Sequence, residues 1–145
     1  MVTTKLIKED LTHSVIGAFY ETYNTLGYGF LESVYAAGLD RELATRGHRV
    51  SREHAVPVTY KGVEIAFQRV DMLVDEVLVV EIKATPILAA NASRQLLSYL
   101  RGTRLEVGLL LHFGPEAKFY RVVHSNRVAT RSAESAPSAV IGVQR

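Results

Sequence analysis

The chain has 145 residues, of which 48% are hydrophobic and 22% charged, with a formal net charge of +2. That length buries roughly two-thirds of the unfolded surface, enough for one self-sufficient core, and the proportions exclude wholesale disorder. The absence of cysteine excludes disulfides, iron–sulfur ligation and thiol catalysis, and the mildly basic balance is too common among globular proteins to identify a partner.

The first residues, MVTTKLIKEDLTHS, carry acids and lack the apolar stretch of a secretion signal, and no apolar run approaches the ~20 residues that span a bilayer. A cytoplasmic protein with no membrane partner is expected. From residue 10 to residue 26, Leu11, Val15, Phe19, Tyr23 and Leu26 recur at helical spacing, and Gly27-Tyr28-Gly29 stops that helix. A second helix is expected over 31–46, with Val34, Leu39 and Leu43 buried and Glu32 in its first turn, ending at Gly47. Strands are expected over 48–60, 63–72 and 77–84, the first two joined at Lys61-Gly62. Pro86 opens a helix over 88–101 with Leu96, Leu97 and Leu100 inward, and strands follow at 106–113 and 118–123. The Ser- and Ala-rich remainder reads as a mobile tail, giving one domain over 1–124 and a flexible segment over 125–145. The pattern is α/β, with a mixed central sheet flanked by helices.

The run LVVEIKA, residues 78–84, holds Glu81 and Lys83 two apart among apolar neighbours, so alternation puts both on one face of a central strand. Buried charges of that kind are costly without partners or a metal. Asp71 interrupts the preceding apolar run, VDMLV, and supplies a partner if the register permits. Asp71 faces Glu81 only if the connecting loop is the three residues Asp75, Glu76 and Val77. A two-residue turn would split the carboxylates between faces, and a three-residue loop without glycine is the less usual of the two. If the carboxylates converge, Asp71, Glu81 and the carbonyl of Ile82 form a partial oxygen cage for Mg²⁺ or Mn²⁺. Lys83 would then stabilise charge on a phosphate rather than act as a base. Gln95 and Tyr99, four apart on the next helix, share a face that can reach the edge of such a site.

The five histidines lack the spacing of a helical zinc motif and read as structural or exposed. Arg46, Arg49, Arg52 and Arg69 can line a phosphate groove, although a solvated face is the commoner use of surface arginines.

The segment Gly29-Phe30-Leu31-Glu32-Ser33-Val34-Tyr35 matches the signature of the GxxExxY proteins, which are placed in the PD-(D/E)XK nuclease superfamily. The resemblance continues through the RVDMLV of residues 69–74, the VVEIKA of 79–84, the RQLLSYL of 94–100 and the VGLLLHFG of 107–114. It implies a restriction-endonuclease-like αβββαβ core preceded by an extra N-terminal helix. It also implies a site made of Glu32, Asp71, Glu81, Lys83, Gln95 and Tyr99, with Glu32 supporting the metal held by Asp71, Glu81 and Ile82. The function that follows is metal-dependent hydrolysis of phosphodiester bonds, with DNA favoured over RNA. The alternative is a non-catalytic nucleic-acid-binding or protein-interaction module on the same fold. A homodimer is a further option, if the aromatic first helix, with Phe19, Tyr20 and Tyr23, packs against another subunit.

Overall fold

In a computed structural model the described residues are 4–125 and 138–144. Helices α1 (Thr4–Leu26) and α2 (Glu32–Thr45) precede strands β1 (Val50–Tyr60), β2 (Val63–Val74) and β3 (Leu78–Lys83). Helix α3 (Ala92–Arg101) leads to β4 (Val107–Phe113), β5 (Ala117–His124) and β6 (Ser138–Gln144). The strands lie side by side in chain order. Every neighbouring pair is antiparallel except β3 and β4, which are parallel and joined by α3. Residues 32–113 thus form the expected αβββαβ core in a mixed sheet, with α1 as the additional N-terminal helix.

The sheet separates two apolar layers. On one face Val15, Phe19, Tyr35, Leu39 and Leu43 of α1 and α2 meet Met72, Val80, Ile82, Leu109, Leu111 and Phe113. On the other, Leu96 and Leu100 of α3 meet Val70, Leu73, Val79, Leu110 and Val122. Both faces of β3 and β4 are covered, which is why LVV and VGLLL read as unbroken apolar runs. Phe19, Tyr20 and Tyr23 pack on Phe113 and Phe119 of the same chain.

Three expectations are revised. Val34 is 36% exposed, and Tyr35 takes the buried place in its turn of α2. Helix α3 begins at Ala92 rather than 88, because a local and a tertiary hydrogen bond hold the preceding turn: Thr85 Oγ1 donates to the Ile87 carbonyl at 2.8 Å, and the His112 Nε2 donates to the Thr85 carbonyl at 2.7 Å. Within the expected tail, residues 138–144 add β6 to the edge of the sheet, from Gln144 opposite Lys118 to Ser138 opposite His124. Residues 126–137 of that segment lie outside the described residues.

At Gly108 helix α3 packs close on the sheet, since a Cβ there would lie 3.0 Å from a methyl of Leu96. Gly108→Ala is therefore expected to cost about 1–3 kcal/mol through overpacking of a filled layer, measured by denaturant unfolding.

The loop between β2 and β3 is tied down by polar groups. Asp75 accepts from the Arg49 N–H and from His48 Nδ1, each at 2.8 Å, and its own N–H donates to the Arg49 carbonyl at 2.9 Å. His48 Nε2 in turn meets Ser14 Oγ at 2.7 Å, so one chain of hydrogen bonds joins α1, the start of β1 and this loop. The atom order is that of a nucleophilic triad. Ser14 sits mid-helix, however, where the nearby N–H groups are committed to helical bonds and none is left to stabilise an oxyanion. It serves as a clamp. Burial works against the Asp75 carboxylate. The bonds from Arg49 and His48 and the nearby positive charge outweigh that, and its pKa is lowered. A depressed carboxylate pKa contributes stability above the unfolded value of about 4, which is lost as the pH falls through the folded value. Thermal melts of the wild-type chain should accordingly drop below about pH 4. Asp75→Asn should show a shallower drop there and a loss of about 1 kcal/mol at neutral pH.

Candidate active site

The hairpin register decides whether the charged residues meet. Met72 faces Val80, Leu73 faces Val79 and Val74 faces Leu78, leaving Asp75, Glu76 and Val77 as the loop. This is the three-residue connection that sets Asp71 opposite Glu81. The absence of glycine is met by Asp75 and Glu76, which both take left-handed conformations, with φ of 51° and 64°. Asp tolerates that region better than most residues, and the bonds to His48 and Arg49 hold it there.

Past Met72 and Val80 the ladder gives way and the carboxylates enter the gap. Asp71 Oδ2 accepts from the Ile82 N–H at 2.7 Å, and the Asp71 N–H points to Glu81 Oε2 at 3.4 Å. The other neighbour of Asp71 also releases it. Opposite Asp71 the β1 residue Glu53 turns left-handed, with φ of 48°, and Arg69 donates to its carbonyl at 3.1 Å. Asp71 therefore sits in a fork, flanked by strands that each break regular pairing beside it.

Burial, followed by the neighbouring Asp71 charge, pushes the Glu81 carboxyl up to about 8 against the easing influence of Lys83. Glu32, in the first turn of α2, is raised by burial and then by Asp71. Lys83 and a hydrogen bond from the Ala84 N–H oppose that rise. On the other side of the sheet the Tyr99 hydroxyl is raised by burial and then by the charges of Glu81 and Asp71. Groups from both helical layers thus feel the same pair. Lys83 influences both glutamates without a direct ion pair to either among the described residues. Gln95 is exposed on α3, one turn before Tyr99, and no hydrogen bond joins its side chain to the carboxylates.

A cavity of about 140 Å³ opens here, lined in part by Glu32, Arg52, Glu53, Asp71 and Ile82. Arg52 reaches it from β1 while paired at 3.3 Å with Asp40. A larger cavity of about 470 Å³, between Tyr20, Tyr23 and Glu116, gathers no comparable set of charges.

Two carboxylates forced together in a half-buried fork, beside a strand carbonyl, suit a hard divalent cation. Among the described residues no group of three or more His, Cys, Asp or Glu is placed to hold a metal. Mg²⁺ is usually bound through one or two carboxylates and takes its remaining ligands from water and substrate phosphate, so the donor set fits it.

A family model of the PD-(D/E)XK nuclease superfamily matches residues 9–123, most of the chain. The chain belongs to the PD-(D/E)XK nuclease superfamily. No significant match was found among curated proteins or among solved structures. The superfamily's name denotes an acid on one strand and an acid–X–Lys series on the next, a pattern that Asp71 and Glu81-Ile82-Lys83 follow. Among the described residues no helix is long and apolar enough to cross a membrane.

Two roles escaped the sequence reading, that of His112 and that of the Tyr35 hydroxyl. His112 is buried beside Lys83 on the neighbouring strand and fixes the turn that follows Lys83 through the Thr85 carbonyl. Tyr35 lies stacked on Phe113 with centroids 4.3 Å apart, and its hydroxyl donates to the Gly27 carbonyl and accepts the Phe30 N–H. That hydroxyl holds the loop leading into Glu32. Gly29 completes the loop at φ 115°, a conformation that side chains rarely adopt.

Proposed function

We propose that the chain is a metal-dependent nuclease that hydrolyses phosphodiester bonds in nucleic acid, DNA more readily than RNA, by in-line attack of water. The meeting of Asp71 and Glu81 in the fork between β2 and β3, with Lys83 two residues on, carries this reading. Asp71, Glu81 and the Ile82 carbonyl would hold Mg²⁺ or Mn²⁺, and Glu32 would support it directly or through water. A cation of this kind supplies Lewis acidity at the scissile phosphate and makes water a better nucleophile. Lys83 places a positive charge where negative charge builds on the phosphorus. Tyr99 and Gln95, from α3, would complete the site, Tyr99 towards a phosphate oxygen and Gln95 towards the attacking water. The short Gly29–Glu32–Tyr35 series, with the glycine turning the loop and the tyrosine pinning it, supports a place among the GxxExxY proteins.

Cleavage of labelled DNA and RNA with Mg²⁺ or Mn²⁺, compared among wild type, Glu81→Ala and Lys83→Ala, tests the reading. Loss of at least about a hundredfold is expected in each variant; equal cleavage by all three would assign the activity to a contaminant. The alternative is a binding module on the same fold that does not cut. Calorimetric titration separates the two, because a module of that kind would take up neither Mg²⁺ nor Mn²⁺, with or without nucleic acid.

A further inference from the structure

The approach to this site carries an apolar rim. Leu31, immediately before Glu32, is 74% exposed, and Ile87 is 82% exposed; Tyr28 and Phe30 are about half exposed on the same loop as Leu31. The two segments lead to one cavity, which Glu32, next to Leu31, and Ile82, five residues before Ile87, line together. Neither is left loose, since the Tyr35 hydroxyl fixes 27–30 and His112 with Thr85 fixes 85–87.

Leu31 also breaks a local rule. It occupies the N-cap of α2 with extended backbone, φ −70° and ψ 157°, and makes no capping hydrogen bond. Ser, Thr, Asp or Asn at that position would satisfy an orphan helical N–H, and leucine is among the poorest choices. An exposed leucine that forgoes a cap gains nothing for the fold. Such local conflicts concentrate where function imposes them.

We infer that this rim selects unpaired nucleotides, so that the substrate class of the proposed nuclease is single-stranded or locally unwound nucleic acid. The inference rests on the nuclease reading for its site and deepens it. A regular duplex presents phosphates and sugars outward, to which leucine and isoleucine side chains offer no hydrogen bond or charge. An unpaired strand exposes the apolar faces of its bases, which stack on aromatic and aliphatic side chains whatever their sequence. With Phe30 and Leu31 immediately before Glu32 and Ile87 four residues after Lys83, a base can rest on the rim while the adjoining phosphate reaches Lys83.

The test is fluorescence anisotropy of a labelled 20-nucleotide strand and of its duplex, at one salt concentration, with Ca²⁺ and the full chain carrying Asp71→Asn to prevent turnover. The strand should bind at least about tenfold tighter than the duplex, since stacking of one base is worth about that factor. Leu31→Ser with Ile87→Ser, in the same chain, should lower strand affinity about tenfold and leave duplex affinity unchanged. The Leu31→Ser change should also raise the melting temperature by a few degrees through the restored cap, so weaker binding cannot be blamed on unfolding. Equal affinity for strand and duplex, or no binding of either, overturns the inference. So does a double variant that changes sedimentation but not binding, which would make the rim a contact between two copies of the chain. A strand preference that persists while the wild-type chain cleaves nothing with Mg²⁺ or Mn²⁺ sinks the nuclease reading alone and leaves the rim as a binding surface.

Discussion

Asp71→Asn is expected to lower cleavage about a thousandfold, equivalent to about 4 kcal/mol of transition-state stabilisation, while leaving the melting temperature at pH 7 unchanged or higher. The two halves of that outcome have one cause. Asp71 and Glu81 share a half-buried fork, and their proximity pushes the Glu81 carboxyl up to about 8. A carboxyl raised by folding subtracts stability above its unfolded value, so at neutral pH the pair is a burden on the fold. Asparagine removes the charge and keeps an oxygen where Asp71 Oδ2 accepts the Ile82 N–H. It therefore relieves the repulsion without orphaning a backbone donor. A purely structural ion network predicts the reverse, because breaking a buried network is destabilising. Thermal denaturation of wild type, Asp71→Asn and Asp71→Ala, run beside the cleavage assay, distinguishes the two. A clear fall in melting temperature for Asp71→Asn, with cleavage intact, would return the trio to a structural role.

The strand that holds Glu81 and Lys83 was legible because a central strand has a simple signature: apolar on both faces, so that each charge stands out. Asp71 was legible as an interruption of the same kind, but its meeting with Glu81 depended on the length of a loop. That length rests on a conflict local propensity does not resolve. Asp75 and Glu76 adopt left-handed conformations because His48, Arg49 and Ser14, from 26 to 61 residues away in sequence, complete a hydrogen-bond chain around Asp75. The start of α3 failed for the same reason. Pro86 is a fair helix opener, yet the turn there is held by a histidine on a strand formed later in the chain. The strand β6 lies in a stretch whose Ser and Ala content resembles a linker, and its short alternating run, SAVIGVQ, finds its partner only in the exposed edge of β5. The ring of Tyr35 is part of the core. Its hydroxyl, by contrast, acts on backbone groups five and eight residues earlier, a role that helical periodicity cannot express.

Tyr35 is accordingly the position where stability and site geometry can be separated by two substitutions. Its ring is fully buried, stacked on Phe113 and edge-on to Phe30 at 6.1 Å. Tyr35→Ala should cost about 3–5 kcal/mol, the usual loss for emptying an aromatic site in a packed core, and lower the melting temperature by about 10 °C. Tyr35→Phe keeps the ring and both aromatic contacts and removes only the hydroxyl. The Gly27 carbonyl and Phe30 N–H then lose their partner, at a cost of about 1–2 kcal/mol with partial rescue by water. Because that hydroxyl fixes the loop carrying Leu31 into Glu32, the phenylalanine variant should lose more activity than its small stability change explains. About tenfold is expected, since a misplacement of about 1 Å can cost up to a hundredfold. The decisive comparison is at a temperature where both wild type and Tyr35→Phe are fully folded. Unchanged cleavage there would confine Tyr35 to the core, whereas reduced cleavage with an intact melt makes its hydroxyl the link between the aromatic layer and the site.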